Sequence, residues 1–339
     1  MQPSLRIGIA GLGRLGMRHA QALAQQTRGC TLVAACSPLA PERDWATQQL
    51  GLKHTYESLE QMLAHPDLDA VVLVTPTSLH ADQTVAVLQA GKHVFVEKPL
   101  ALNVPDCERV LQVAQKHPNQ IAMVGFVRRF DASYMNAYAS VAAGEIGKPF
   151  LVRSQTCDQN DTEGFFVRFA ETSGGIFMDC SVHDIDLARW MLGRPKALRV
   201  FASGTIALHP GLAQFHDVDN GMAIVEFEGG QRAVLYASRT MAHGHETTTE
   251  VIGTEGKLLI GEHAASDRVI RSDALGVRHA VVKDFHGRFE AAFAAEMNAF
   301  VAACRGEQPL TLTLSDALEA TRIGLAITRS LQTGQAEVV

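Results

Sequence analysis

Residues 174–192, GGIFMDCSVHDIDLARWML, carry Asp179, His183 and Asp186 within a largely apolar run. In a helix, positions i, i+4 and i+7 fall on a narrow stripe of one face. Ile176, Phe177, Met178, Val182, Ile185, Leu187 and Met191 occupy most of the rest of the cylinder, so the helix reads as buried nearly all round. A buried carboxylate without a partner is costly, and the polar seam therefore needs a protein network, a metal or a substrate. Imidazole, with an ordinary pKa of about 6.5, is suited to taking a proton near neutral pH. Residues 96–100, VEKPL, end a strand pattern with Lys98, and the bond to Pro99 is a candidate for the cis form. An ammonium there would stabilise a developing alkoxide.

Gly11-Leu12-Gly13-Arg14-Leu15-Gly16 is a GxGxxG turn between a strand pattern, LRIGIA, and a helical one. In that setting the first glycine permits the tight turn, the second lets backbone approach a pyrophosphate, and the third lets helix pack on strand. A dinucleotide is therefore expected on Gly11, Gly13, Arg14, Leu15 and Gly16 at the helix start. Ligands collect beyond the carboxyl ends of parallel strands, which adds Thr75, Pro76, Glu97 and Lys98. The acid that usually ends the second strand is missing, and Ser37 stands there instead. Ser37 can bond a ribose hydroxyl or tolerate a 2'-phosphate, with Arg14 or Arg43 to neutralise it, so the residues leave NAD and NADP open.

These residues need a scaffold, and the pattern along the chain supplies one. Up to about residue 126, short apolar runs alternate with helical stretches, and strands without polar alternation are covered on both faces. The fold class is α/β, with a Rossmann doubly wound parallel sheet over 1–126. From 127 to 339 the strands alternate and meet at tight turns such as Gly229-Gly230, predicting an α+β domain with an open, mostly antiparallel sheet. One helix is expected over the opening run, and two more from about 288 to 304 and 315 to 333. Arg128, at the domain entry, Asp158, after the first strand of the second domain, Asp186 and His243 are further polar candidates for lining a site rich in donors and acceptors.

At 339 residues two domains are the natural expectation. A net charge of -6 with scattered Lys and Arg offers no footprint for nucleic acid or a membrane surface. MQPSLR leads directly into a strand pattern, so no signal peptide is expected and the cytoplasm is the default location. Six cysteines without a CxxC read as reduced small hydrophobes.

GLGRLG, EKPL, GFVRRFD and GGIFMDCSVHDID, in that order, resemble the Gfo/Idh/MocA oxidoreductases, particularly their inositol dehydrogenases. The resemblance covers essentially the whole chain. It implies Lys98, Asp179 and His183 as a catalytic triad, a nicotinamide cofactor, and homotetramers formed through the second-domain sheets. The expected reaction is oxidation of myo-inositol to 2-keto-myo-inositol, with NAD as cofactor, NADP left open, and no metal. At His243 the inositol dehydrogenases are similar, with His or Tyr. The alternatives are scyllo-inositol or another sugar with NADP, and a dinucleotide-binding sensor without turnover. A zinc site is disfavoured because the seam offers one histidine beside a lysine that would repel a cation.

Overall fold

Six apolar runs become the strands β1 (Leu5–Ala10), β2 (Cys30–Cys36), β3 (His54–Tyr56), β4 (Ala70–Leu73), β5 (His93–Glu97) and β6 (Ala122–Gly125) in the computed structural model, which describes residues 3–262 and 265–339. They pair in parallel in the order β3-β2-β1-β4-β5-β6. Helices α1 (Arg14–Gln25), α2 (Ala40–Leu50), α3 (Leu59–Leu63), α4 (Thr77–Gln89) and α5 (Val104–Lys116) make the crossovers. Ile7, Ile9, Val71, Val72, Val94 and Phe95 are fully buried, which is why these strands lack polar alternation. Strand order reverses between β1 and β4, and such a switch point opens a crevice beyond the strand ends. Gly11 and Thr75 stand at that place.

The second sheet uses β7 (Pro149–Gln159), β8 (Ala197–Thr205), β9 (Asn220–Phe227), β10 (Arg232–Met241), β11 (Glu246–Gly253) and β12 (Lys257–Ile260). A separate hairpin, β13 (Ala265–Asp273) and β14 (Gly276–Val281), precedes the short terminal strand β15 (Glu337–Val338). The order β12-β11-β7-β10-β9-β8-β15 is antiparallel throughout except between β7 and β10. Its helices are α6 (Ala132–Ala142), α7 (Phe165–Ser173), α8 (Ile176–Asp179) and α9 (Ser181–Met191), followed by α10 (Phe285–Cys304) and α11 (Leu314–Thr333). Neither α7 nor the hairpin is foreshadowed in the sequence pattern. The first of these is rich in phenylalanine, a weak helix former, and the second exposes most of both strands.

The single helix expected over residues 174–192 is divided into α8 and α9. Cys180 between them keeps right-handed helical dihedrals, φ -87° and ψ -57°, and its N–H bonds the Ile176 carbonyl. Helical phase therefore carries through, and Asp179 and His183 remain one turn apart. Asp184 anchors α9 to the sheet by accepting from Ser154 and Thr156 of β7, each at 2.6 Å. Ile185, Leu187, Ala188 and Met191 bury their side chains alongside, each larger one contributing about 1.5–3 kcal/mol.

The chain divides into two compact units, Met1–Phe130 with Ala291–Glu319, and Asp131–Glu290 with Ala320–Val339. This differs from a boundary at 126 with everything beyond it in the second domain. The physical reason lies in α10: Phe293 meets the ring of His19 edge-on at 5.4 Å, and Phe300 meets Phe95 at 5.9 Å. Those aromatic contacts place the middle of α10 in the first core.

Candidate active site

In the first unit the glycine turn shows why each glycine is there. Gly11 has φ +89°, and a Cβ on it would lie 2.4 Å from the Val74 carbonyl oxygen. A Cβ on Gly16 would lie 2.0 Å from the Gly11 carbonyl oxygen. At Gly13 it would meet nothing within 4 Å, so this glycine faces open space. Gly13 caps α1 without a side-chain bond, and the first turn contains no acid. A helix start of that kind suits a pyrophosphate, so the residues fit a dinucleotide. Arg14, exposed, and Leu15 open the helix.

The ends of β1, β2 and β4 meet at this turn, since Gly11 N–H bonds Cys36 O at 2.9 Å and Val74 N–H bonds Ala10 O at 2.8 Å. Ser37 is buried there, and its hydroxyl donates to Glu42 from the first turn of α2. The carboxylate that the strand end lacks thus comes from five residues on. Arg43 donates to the Ser37 carbonyl at 2.7 Å and to Glu57 at 3.2 Å, so its charge is already matched. Thr75 donates to Gln83, and Pro76 precedes α4.

Lys98 follows β5 directly, and its bond to Pro99 is cis. Glu97, buried, accepts from His19 Nε2 at 2.8 Å and from the Lys98 backbone N–H at 3.0 Å. Burial, the largest influence, opposes ionisation of Glu97, but the His19 bond, the His19 charge and Lys98 outweigh it and hold the carboxyl below the usual range. Nearby Glu296 of α10 is fully buried, and neither of its carboxyl oxygens has a hydrogen-bond partner among the described residues. Burial first, and the Glu97 charge second, push it well above the usual carboxylate range. Arg128 and Arg129 lie buried in a 3-10 turn after β6, where Arg129 meets Asp316 at 3.3 Å.

In the second unit every residue from Ile176 to Leu192 is buried except Asp179 and His183, which are partly exposed. Asp179 accepts from Arg239 Nη2 at 3.2 Å, and the same fully buried guanidinium donates to Asp217 at 3.0 Å. Asp217 in turn accepts the Ile176 N–H at 2.9 Å, fixing the start of α8. The Cys180 thiol lies 3.7 Å from both Asp179 and Asp158, linking the two carboxylates. Asp158 accepts from His245 Nδ1 at 2.8 Å. The structure thus joins Asp179 and Asp158 in one network beside the turn bearing His183.

His243 stands apart from that network. Its side chain is 47% exposed and bonds Glu246 at the start of β11. Asp186 is buried at the foot of the seam. Asp184, Arg239 and His245 are the polar residues that sequence reasoning missed in this unit. For His245 the signal was present in His243-Gly244-His245, but spacing alone does not say which ring turns inward. Among the described residues no group of three or more His, Cys, Asp or Glu side chains is arranged to hold a metal ion. No described helix is long and apolar enough to cross a membrane.

Comparison with known proteins gives a consistent result. Residues 5–126 match the model of the oxidoreductase family with an NAD-binding Rossmann fold, and residues 134–259 match the GFO/IDH/MocA C-terminal domain. The chain is 37% identical over 334 residues to scyllo-inositol 2-dehydrogenase (NAD(+)) of Bacillus subtilis, covering 98% of this chain and 96% of the relative. It is 30% identical over 330 residues to myo-inositol 2-dehydrogenase of Thermotoga maritima, covering 97% and 96%. Among solved structures, scyllo-inositol dehydrogenase from Lactobacillus casei with bound NAD(H) and scyllo-inositol superposes with a TM-score of 0.95 at 37% identity, covering 99% of each chain. The chain belongs to the GFO/IDH/MocA oxidoreductase family.

Proposed function

We propose that this protein is an NAD-dependent inositol 2-dehydrogenase that oxidises the carbinol of myo-inositol to 2-keto-myo-inositol. The observation that carries the reading is the pair Asp179 and His183, partly open in a helical run that is otherwise buried. Similarity to inositol dehydrogenases along nearly the whole chain supports it, one of them named for NAD(+) and another solved with NAD(H) bound.

NAD, when bound, supplies the acceptor for the hydride leaving the carbinol carbon. Gly11, Gly13, Arg14, Leu15 and Gly16 are its proposed pyrophosphate contacts, Ser37 and Glu42 its ribose contacts, and Thr75, Pro76 and Glu97 the further strand-end positions. His183 takes the hydroxyl proton as general base. Asp179, held by Arg239, orients the imidazole or a neighbouring hydroxyl. The Lys98 ammonium stabilises the developing alkoxide. Asp158 is the proposed contact to the ring hydroxyls, with His245 fixing its carboxylate.

A second reading, scyllo-inositol as substrate, is favoured by the Bacillus subtilis relative and the Lactobacillus casei structure. The two isomers differ in the orientation of one hydroxyl, and oxidation at that carbon yields the same ketone. The test is a panel of myo-inositol, scyllo-inositol, glucose and other sugars, each with NAD and NADP, followed by reduced-nicotinamide absorbance. Fastest turnover of an inositol with NAD is expected. Cofactor binding without turnover of any polyol would favour a sensor and overturn the enzyme reading.

The assembly proposed is a homotetramer, in the cytoplasm where NAD is available. Phe201, Ile224 and Val234 stand side by side across β8, β9 and β10, all exposed on one face of the sheet. A continuous apolar face of this kind is suited to a second copy. Sedimentation velocity of the wild type and of Ile224→Glu tests it, with dissociation expected in the variant and an unchanged assembly contradicting it.

A further inference from the structure

Lys98 is flanked by hydrogen bonds from two buried histidines. On one side, His19 bonds Glu97, which accepts the Lys98 N–H. On the other, His80 of α4 places Nδ1 2.8 Å from the Pro99 carbonyl oxygen and Nε2 2.8 Å from the Thr75 carbonyl oxygen. Thr75 follows β4 and Pro99 follows β5, so the His80 ring braces two neighbouring loops at the carboxyl end of the sheet. The ring is 1% exposed, which leaves it no competing bond to water.

Carbonyl oxygens only accept, so both contacts require an N–H from the ring. A neutral imidazole carries one and serves one carbonyl at a time, whereas imidazolium serves both. Burial, the largest influence, lowers the His80 pKa; the Pro99 and Thr75 carbonyls and Glu97 oppose it, and Lys98 adds to it.

We propose that His80 is a positioning residue for Lys98: its N–H to the Pro99 carbonyl sets the turn from which the ammonium is presented. This rests on the catalytic reading of Lys98 given above. Displacing a reacting group by about 1 Å costs on the order of a hundredfold in rate, so a brace one residue away has leverage.

The test compares His80→Asn, whose amide nitrogen takes the place of Nδ1, with His80→Gln, whose amide nitrogen reaches toward the place of Nε2. Turnover is measured with NAD and with inositol carrying deuterium at the reacting carbon, alongside thermal unfolding. For the Gln variant, kcat is expected to fall by about tenfold or more, with a larger deuterium isotope effect on kcat because the hydride step becomes limiting. The Asn variant is expected to recover most of the loss. A merely structural role lowers the active fraction and leaves the isotope effect and KM unchanged, and that result overturns the proposal. Better rescue by Gln than by Asn, or wild-type behaviour of both, also overturns it. Lys98→Met is the control: wild-type turnover there removes the Lys98 reading and this inference together. An inactive Lys98→Met beside an unaffected His80→Gln removes this inference alone.

Discussion

Ser37 donates its hydroxyl to the carboxylate of Glu42, which brings an acid to the end of β2 where the strand itself has none. A carboxylate at that position favours free ribose hydroxyls and repels a 2'-phosphate. Arg43, the cation next to it, is occupied by the Ser37 carbonyl and Glu57. Glu42→Gln is therefore expected to lower the ratio of kcat/KM for NAD over NADP by about tenfold or more, as loss of one charge-based discrimination should. Steady-state kinetics with both cofactors checks this, and an unchanged ratio would remove Glu42 from cofactor selection.

The glycines of the turn separate folding from binding. In Gly16→Ala the new methyl collides with the Gly11 carbonyl, so a loss of about 1–3 kcal/mol of stability is expected. Gly13→Ala meets no atom of the protein, so its unfolding midpoint should stay near wild type while KM for NAD rises several-fold. Equal thermal stability of the two variants would contradict the assignment.

Asp219 gives a pH dependence with a definite sign. It is fully buried and accepts the N–H groups of Ala207 and Leu208 at 2.7 Å and of His209 at 2.9 Å, with Asn220 Nδ2 at 3.0 Å. Burial, the largest influence, opposes its charge, but these donors outweigh it and hold the carboxyl below its ordinary range. A folded pKa below the unfolded value of about 3.9 contributes stability that is present above that pH and lost as pH falls through the folded value. Asp219→Asn should cost about 1–3 kcal/mol near neutrality, with the gap to wild type closing below about pH 4. Denaturant unfolding across that range measures the gap, and a gap that does not change with pH would refute the role.

The parallel sheet and the glycine turn were legible because each depends on local pattern, apolar runs and glycine spacing. The seam of Asp179 and His183 was legible for the same reason, since helical period places them on one face. Arg239 was not, because its partners Asp179 and Asp217 lie 60 and 22 residues away in the chain. Nor was the choice between His243 and His245, which stand in the connection after β10, where strand alternation no longer applies. Glu296 reads as an ordinary polar position of α10, and only its packing in the first core reveals a fully buried acid whose carboxyl is pushed up by burial and by Glu97.

The most direct measurement is the turnover of His183→Ala with NAD and inositol, made together with its NAD dissociation constant. Loss of a general base should lower kcat by about a hundredfold or more, with cofactor affinity kept within about twofold. Turnover equal to that of the wild type would contradict proton transfer through His183.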